Sequence, residues 1–134
     1  MHTIASATFD IDSWDEQPWD EVRGARLTRT RVTKTFRGDI EATSVAELLM
    51  AYAEDAASRA YVGFERITGR VGDRTGSFVL HHTATASGAG HAVSWSIVPD
   101  TGTGGLEGIR GEAQIVIDPK SGTHLITLDY DLDQ

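Results

Sequence analysis

Three ionisable side chains of different chemistry, Lys34, Glu65 and His82, fall where an alternating strand would face the protein interior. A carboxylate, an amine and an imidazole held together away from water shift one another's pKa values. Such shifts produce general acids and bases, so this set is a candidate catalytic site. In it, Glu65 or His82 moves a proton and Lys34 stabilises developing negative charge. The alternative is a structural ion pair of Lys34 and Glu65, or a pair in water at the mouth of the fold.

Strict alternation decides which side chains share that interior, because neighbouring residues of a strand point to opposite faces. Four segments carry the pattern: Val32 to Phe36, Gly63 to Ile67, Phe78 to His82 and Val93 to Ile97. If each apolar face points inward, Trp95 joins the three ionisable residues. The residues that we expect to bind a ligand around them are Phe36, Phe78, Leu80, Trp95, Tyr130 and Glu112.

The sequence gives little evidence for a metal site, a cysteine nucleophile or a phosphate-binding loop. The chain has no cysteine, which excludes thiolate metal sites and cysteine nucleophiles. His81 and His82 are adjacent, so on a strand they point to opposite faces and do not chelate one metal ion. The glycine-rich stretch Thr101 to Gly105 lacks the Gly-Lys-Ser/Thr of a phosphate loop. The sequence therefore predicts neither a metal nor a cofactor.

Composition limits the partners. The chain has 134 residues, enough for one domain over residues 1–134, and a formal net charge of −8 with no basic cluster. Such a charge repels a phosphate backbone, so we expect no nucleic acid. The N-terminus lacks the basic and apolar regions of a signal peptide, and no apolar run approaches the ~20 residues of a membrane-spanning helix. A cytoplasmic protein without a membrane partner is the default expectation.

Short strand patterns recur along the whole chain, separated by turn signals, which is typical of a barrel or sandwich. Residues Trp14 to Trp19 are predicted to leave the sheet as a loop, with both tryptophans as a lid or plug on the barrel end. One segment conflicts with an all-β interpretation. Val45 to Arg59 is rich in alanine and leucine and has the propensity of an amphipathic helix.

A set of motifs spread over essentially the whole chain resembles a known family. They are Ser13-Trp14-Asp15-Glu16, Val32 to Phe36, Phe64 to Gly69, Gly76 to Leu80, Gly102-Thr103-Gly104 with Gly108 to Glu112, and Leu128 to Asp131. The family is domain of unknown function 3224, whose fold is similar to that of allene oxide cyclases and dirigent proteins. The resemblance implies one antiparallel, roughly eight-stranded barrel with a lipocalin-like pocket. It also implies strands, not a helix, around Ile40 to Tyr52 and Arg59 to Thr68, joined at Asp55 to Ser58.

The resemblance implies architecture and not a reaction, so three functions stay open. The leading hypothesis is a barrel that binds a small hydrophobic or amphipathic molecule. The second is a cofactor-independent isomerase or cyclase acting on a small hydrophobic substrate of natural-product type, or a protein that only steers a coupling reaction. The third is a structural or interaction barrel with a filled interior, whose polar outer face forms a homo-oligomer.

Overall fold

The computed structural model describes residues 2–54, 57–88 and 90–132, and nearly all of them lie in strands or tight turns. The strands, in chain order, are β1 Thr3–Asp20, β2 Ala25–Gly38, β3 Ile40–Ala53, β4 Arg59–Val71, β5 Arg74–Ser87, β6 Gly90–Ile97, β7 Thr103–Gly104, β8 Ile109–Ile117 and β9 His124–Leu132. The described residues contain no helix with the length and apolar character needed to cross a membrane.

The strands form one closed antiparallel barrel. The hydrogen-bonded order is β4-β3-β2-β1-β9-β8-β6-β5, and pairing of β4 with β5 closes the ring, while the short β7 adds to β5 near its start. This confirms the predicted all-β fold with an eight-stranded barrel. Each of these eight strands is paired on both sides over part of its length. Beyond Phe9, β1 pairs with β2 alone, and β6 pairs with β8 only at Trp95 and Ser96.

The segment with helical propensity is a β-hairpin. β3 pairs with β4 from Ile40 opposite Val71 to Tyr52 opposite Arg59, as the family resemblance predicted. Inward positions of β3 are buried while the intervening residues, including Val45 and Leu49, are exposed on the outer face. Burying every second side chain of β3 inside the barrel therefore outweighs the local preference of alanine and leucine for a helix. The predicted connection includes positions 55–56, which lie outside the described residues.

The predicted loop at Trp14 to Trp19 is wrong, because β1 continues to Asp20. Its pairing with β2 shifts register between Ile11 and Ser13 and again between Pro18 and Asp20. A β-bulge at the first shift changes which residues face inward. Before it, Phe9 is buried, and after it the inward positions fall on even numbers, with Trp14 opposite Val32. A prediction that continues the alternation of β1 through the bulge therefore assigns the wrong inward residues beyond it.

The two ends of the barrel are filled differently. The end that carries the turns after β2 and β4, the closed end, is a packed apolar core capped by the loop after β6, whose Leu106 is fully buried. The largest buried side chains of that core are Phe36, Phe78, Ile40, Ile67, Leu80, Leu106, Ile109, Ile126 and Leu128. At the other, open end, the inward positions of β4 and β5 beyond the core are occupied by Gly63, Tyr61 and Ala84. Of these, the small Ala84 leaves room inside the barrel, whereas the space beside Gly63 is taken by the backbone of β3.

Candidate functional site: a chamber with a polar floor

The three ionisable residues predicted from the sequence meet at one carboxylate. The ammonium Nζ of Lys34 donates to Oε1 of Glu65 at 3.1 Å, and the hydroxyl of Ser44 donates to Oε2 at 2.5 Å. Nε2 of His82 lies 2.9 Å from Oε1, although its N–H does not point along a good hydrogen bond. The strands β2, β3, β4 and β5 each contribute one of these residues, so barrel closure assembles the cluster.

Aromatic rings surround the cluster on the side away from Glu65. The indole of Trp95 stacks on the imidazole of His82 with ring centroids 3.6 Å apart. The ammonium of Lys34 lies 4.9 Å from the ring centroid of Phe9 and 5.0 Å from that of Trp95, within reach of cation–π attraction. The buried indole N–H of Trp95 has no hydrogen-bond partner within the described part of the chain. The rings stabilise the cation that the carboxylate neutralises.

The environment fixes the charge of the carboxyl and of the imidazole. Burial by itself raises the pKa of Glu65, but the contact with His82, the charge of Lys34 and the bond from Ser44 outweigh it and lower this pKa to about 2. Burial lowers the pKa of His82 despite the opposing effect of Glu65. At neutral pH Glu65 is therefore ionised and His82 is neutral.

These shifts predict that the protein loses stability as the pH falls. Both pKa values are depressed in the folded state, so unfolding takes up protons below about 6.5 at His82 and between about 4.5 and about 2 at Glu65. The free energy of unfolding should fall by up to about 1.4 kcal/mol per pH unit for each such proton. Urea denaturation from pH 7.5 to 4.5 measures this, and His82→Gln should flatten the slope just below pH 6.5.

The neighbouring histidine supplies the matched control. His81 lies on the outer face, where its ring stacks on Phe64 with centroids 5.2 Å apart. His81→Gln leaves the burial of His82 and its contact with Glu65 in place, so this variant should keep most of the wild-type slope. Equal slopes in the wild-type protein and in His82→Gln would contradict the account of His82.

The cluster forms the floor of a cavity that we call the inner chamber. This chamber has a volume of about 160 Å³. Its lining residues are Phe9, Ile11, Trp14, Val32, Lys34, Ala46, Leu48, Met50, Tyr61, His82 and Trp95. Glu65 is not part of the lining, since its side chain is fully buried behind Lys34 and His82. A ligand in the inner chamber would touch the amine and the imidazole, and Glu65 would act by positioning them.

A second cavity, the mouth chamber, lies towards the open end and has a volume of about 550 Å³. Trp14, Met50 and Tyr61 line both cavities, so the two chambers adjoin at these side chains. The indole N–H of Trp14 donates to Glu16 at 3.1 Å, which holds the ring at this boundary. Trp14 thus has the end position predicted for it. Trp19 instead lies on the outer face, against Leu27, Leu49 and other outward residues.

Glu16 is itself fixed by β2 and β3. Its Oε2 accepts hydrogen bonds from the Thr28 hydroxyl at 2.7 Å and the Tyr52 hydroxyl at 2.8 Å. The bond from Thr28 and those from Tyr52 and Trp14 lower the pKa of Glu16 against the effect of burial. The ionised carboxylate therefore orients Trp14 at the wall between the chambers.

The predicted ligand-binding residues divide into three groups. Trp95 lines the inner chamber. The others that face inward, Phe36, Phe78, Leu80 and Tyr130, are buried in the core of the closed end and line neither chamber. Glu112 is exposed on the outer face of β8, because the inward positions of that strand are Ile109, Gly111 and Ala113.

Sequence reasoning missed Ser44 and most of the chamber wall. Ser44 shares the inward phase of Ile40, Ala42 and Ala46, so the alternation of β3 was a signal for it. The helical propensity of the following residues obscured that signal. Met50 lies in the segment with helical propensity and was missed for the same reason. Tyr61, on β4, shares the inward phase of Gly63 and Glu65, so the alternation of that strand was a signal for it.

Comparison with known proteins identifies the family. The sequence matches the family described as "Protein of unknown function (DUF3224)" over residues 5–130. The chain belongs to the DUF3224 family. A crystal structure of a DUF3224 protein of unknown function from Shewanella oneidensis MR-1 superposes with a TM-score of 0.85 at 29% sequence identity, covering 100% of both chains. No curated protein matches this chain significantly. The family assignment confirms the predicted resemblance to DUF3224, and the likeness to allene oxide cyclases stays a prediction.

Proposed function

We propose that this DUF3224 protein binds one small hydrophobic or amphipathic molecule inside the open half of its barrel. The observation that carries the proposal is the pair of adjoining chambers, of about 550 and about 160 Å³, at the end of a barrel whose other half is densely packed. Ligand sites in proteins are cavities of this kind, mostly apolar with a few polar groups that orient the bound molecule.

The distribution of side-chain size supports this function over that of a filled structural barrel. Inward positions at the closed end carry Phe36, Phe78 and Leu80, whose large side chains form the packed core. Beyond His82, β5 continues inward with the small Ala84, which lines the mouth chamber. A barrel with a purely structural role gains stability from filling this space, because each buried methylene contributes about 0.8 kcal/mol.

Filling the chamber is the direct test. Ala84 lines the mouth chamber, whereas Ala92, on the adjacent strand β6, is exposed and lines neither chamber. The wild-type protein should bind the neutral fluorophore N-phenyl-1-naphthylamine saturably at one site. Ala84→Trp should weaken this binding at least about tenfold, a change of about 1.4 kcal/mol, because the indole occupies the ligand volume.

The control variant Ala92→Trp adds the same side chain outside the barrel and should bind as the wild type does. Thermal unfolding of both variants checks that each is folded. Absence of saturable binding to the folded wild-type protein, or equal affinity of the two variants, would overturn the proposed function.

A further inference from the structure

The polar groups at the inner chamber are dominated by hydrogen-bond donors. Lys34 and Trp95 line the chamber, and an ammonium and an indole N–H donate but do not accept. The bond from Lys34 to Glu65 uses one of three ammonium donors. The Trp95 N–H makes no well-formed hydrogen bond among the described residues, although it lies near the Tyr61 hydroxyl. That hydroxyl both donates and accepts, and the neutral imidazole of His82 has one acceptor nitrogen. Donors therefore outnumber acceptors on this floor, and a ligand that brings an acceptor can pair with the ammonium.

The charge of the floor is already balanced. The Lys34 ammonium and the Glu65 carboxylate are 3.1 Å apart, with 8% and 0% of their side chains exposed. An anionic ligand at Lys34 would place a second negative charge next to a buried carboxylate, which is unfavourable at low dielectric. A cationic ligand finds no carboxylate in the lining, since Glu65 is covered by Lys34 and His82. The floor of the inner chamber therefore disfavours both anionic and cationic ligands.

The remaining walls are apolar or aromatic. Leu48, Val32 and Ala46 enclose the inner chamber, and the rings of Trp14 and Trp95 both contribute to its lining. A flat hydrophobic body makes the largest contact with such walls. A carbonyl oxygen gives such a body a strong acceptor at its end without adding charge.

We infer that the ligand is a neutral, flat hydrophobic molecule bearing a carbonyl oxygen, which points inward and accepts hydrogen bonds from Lys34 and the Trp95 N–H. This inference rests on the proposed function and specifies its ligand class: an aromatic ketone, a quinone or a related conjugated carbonyl compound. The aromatic part of the molecule extends past Met50 and Tyr61 towards the mouth chamber.

Three probes of nearly equal shape separate the possibilities: 2-acetylnaphthalene, a neutral ketone; 2-naphthoate, an anion; and 2-isopropylnaphthalene, which has no acceptor. Dissociation constants are measured by displacement of N-phenyl-1-naphthylamine from the full chain. The ketone should bind at least about tenfold more tightly than either of the others, the range expected for a hydrogen bond from a charged donor. Trp95→Phe removes one donor and should reduce the preference. The double variant Lys34→Met/Glu65→Leu, which leaves no unpaired charge, should bring the ketone within about threefold of the hydrocarbon.

The possible outcomes separate a failure of the proposed ligand class from a failure of the proposed binding site. Equal affinity for all three probes would overturn the inference while the proposed function stands. Tightest binding of the naphthoate would also overturn it, and would mean that Lys34 acts as a net cation. A preference for the ketone that survives the double variant would overturn the assigned donors. If neither the fluorophore nor any probe binds, the proposed function fails, and the inference fails with it.

Discussion

Replacing Glu65 by leucine is expected to lower the free energy of unfolding by about 3–5 kcal/mol, the range for breaking a buried ion pair from one side. The carboxylate accepts the hydrogen bonds of Lys34 and Ser44, and only 7% of Lys34 is exposed. Without Glu65, the ammonium is left among apolar and aromatic side chains with no counter-charge. Since small domains unfold with a free energy of about 5–15 kcal/mol, this one change would remove a large fraction of the stability.

Two further variants test the cause of that loss. The double variant Lys34→Met/Glu65→Leu removes both charges and should recover more than half of the stability lost in Glu65→Leu, because a buried pair is replaced by apolar side chains. Asp10→Leu breaks the exposed pair of Asp10 and Arg37, whose side chains are 67% and 62% exposed, and should cost less than about 1 kcal/mol. Urea denaturation at pH 7 measures all three. A Glu65→Leu variant no less stable than Asp10→Leu would contradict the account of the floor.

Truncating Phe78 to alanine should cost about 3–5 kcal/mol, as for other large-to-small changes in a packed core. Phe78 is completely buried, pairs across strands with Ile67 and lies in the core of the closed end. The change opens a void where the side chains already fill the barrel. Urea denaturation of Phe78→Ala measures the loss.

Phe64 provides the comparison, because it is the same residue type on the outer face of the same barrel. It is 56% exposed and stacks on His81. Phe64→Ala should cost less than about 1 kcal/mol, as for most surface substitutions. Similar losses in the two variants would mean that the closed end is not the packed core described above.

The interior cluster was predictable because strand alternation is a geometric rule. Lys34 shares a face with Val32 and Phe36, and His82 with Phe78 and Leu80, whatever the rest of the barrel does. Knowing the phase of each strand was enough to place Lys34, Glu65 and His82 inside. Their contact at one carboxylate depends on the register between strands, which a single strand does not encode.

Two features of the fold resisted sequence reasoning for different physical reasons. In β3, alanine and leucine favour a helix locally, and only pairing with β4 makes the strand the more stable state. In β1, the bulge between Ile11 and Ser13 reverses the inward phase, so the pattern at Trp14 appears broken. The proline at position 18 added to the impression of a loop, although it lies next to the second irregularity of the strand.

The chamber could be predicted only in part. Alternation identifies which residues face inward but not how far along the barrel each lies, so Phe36 and Phe78 were placed around a pocket that begins beyond them. The small size of Ala84 becomes informative only after the register puts it beside Tyr61. Glu112 was predicted among the ligand-binding residues, but it lies on the face opposite the inward Ala113.

The most direct test of the central claim is a crystal structure of the protein soaked with 4-bromoacetophenone, using the anomalous signal of bromine to locate the molecule. The account predicts one strong peak within the chambers, beside Trp14, Met50 and Tyr61. The carbonyl oxygen should lie within hydrogen-bonding distance of the Lys34 ammonium. A structure in which side chains close the chambers, and bromine is found only on the outer surface, would contradict the claim that this barrel is built to hold a ligand.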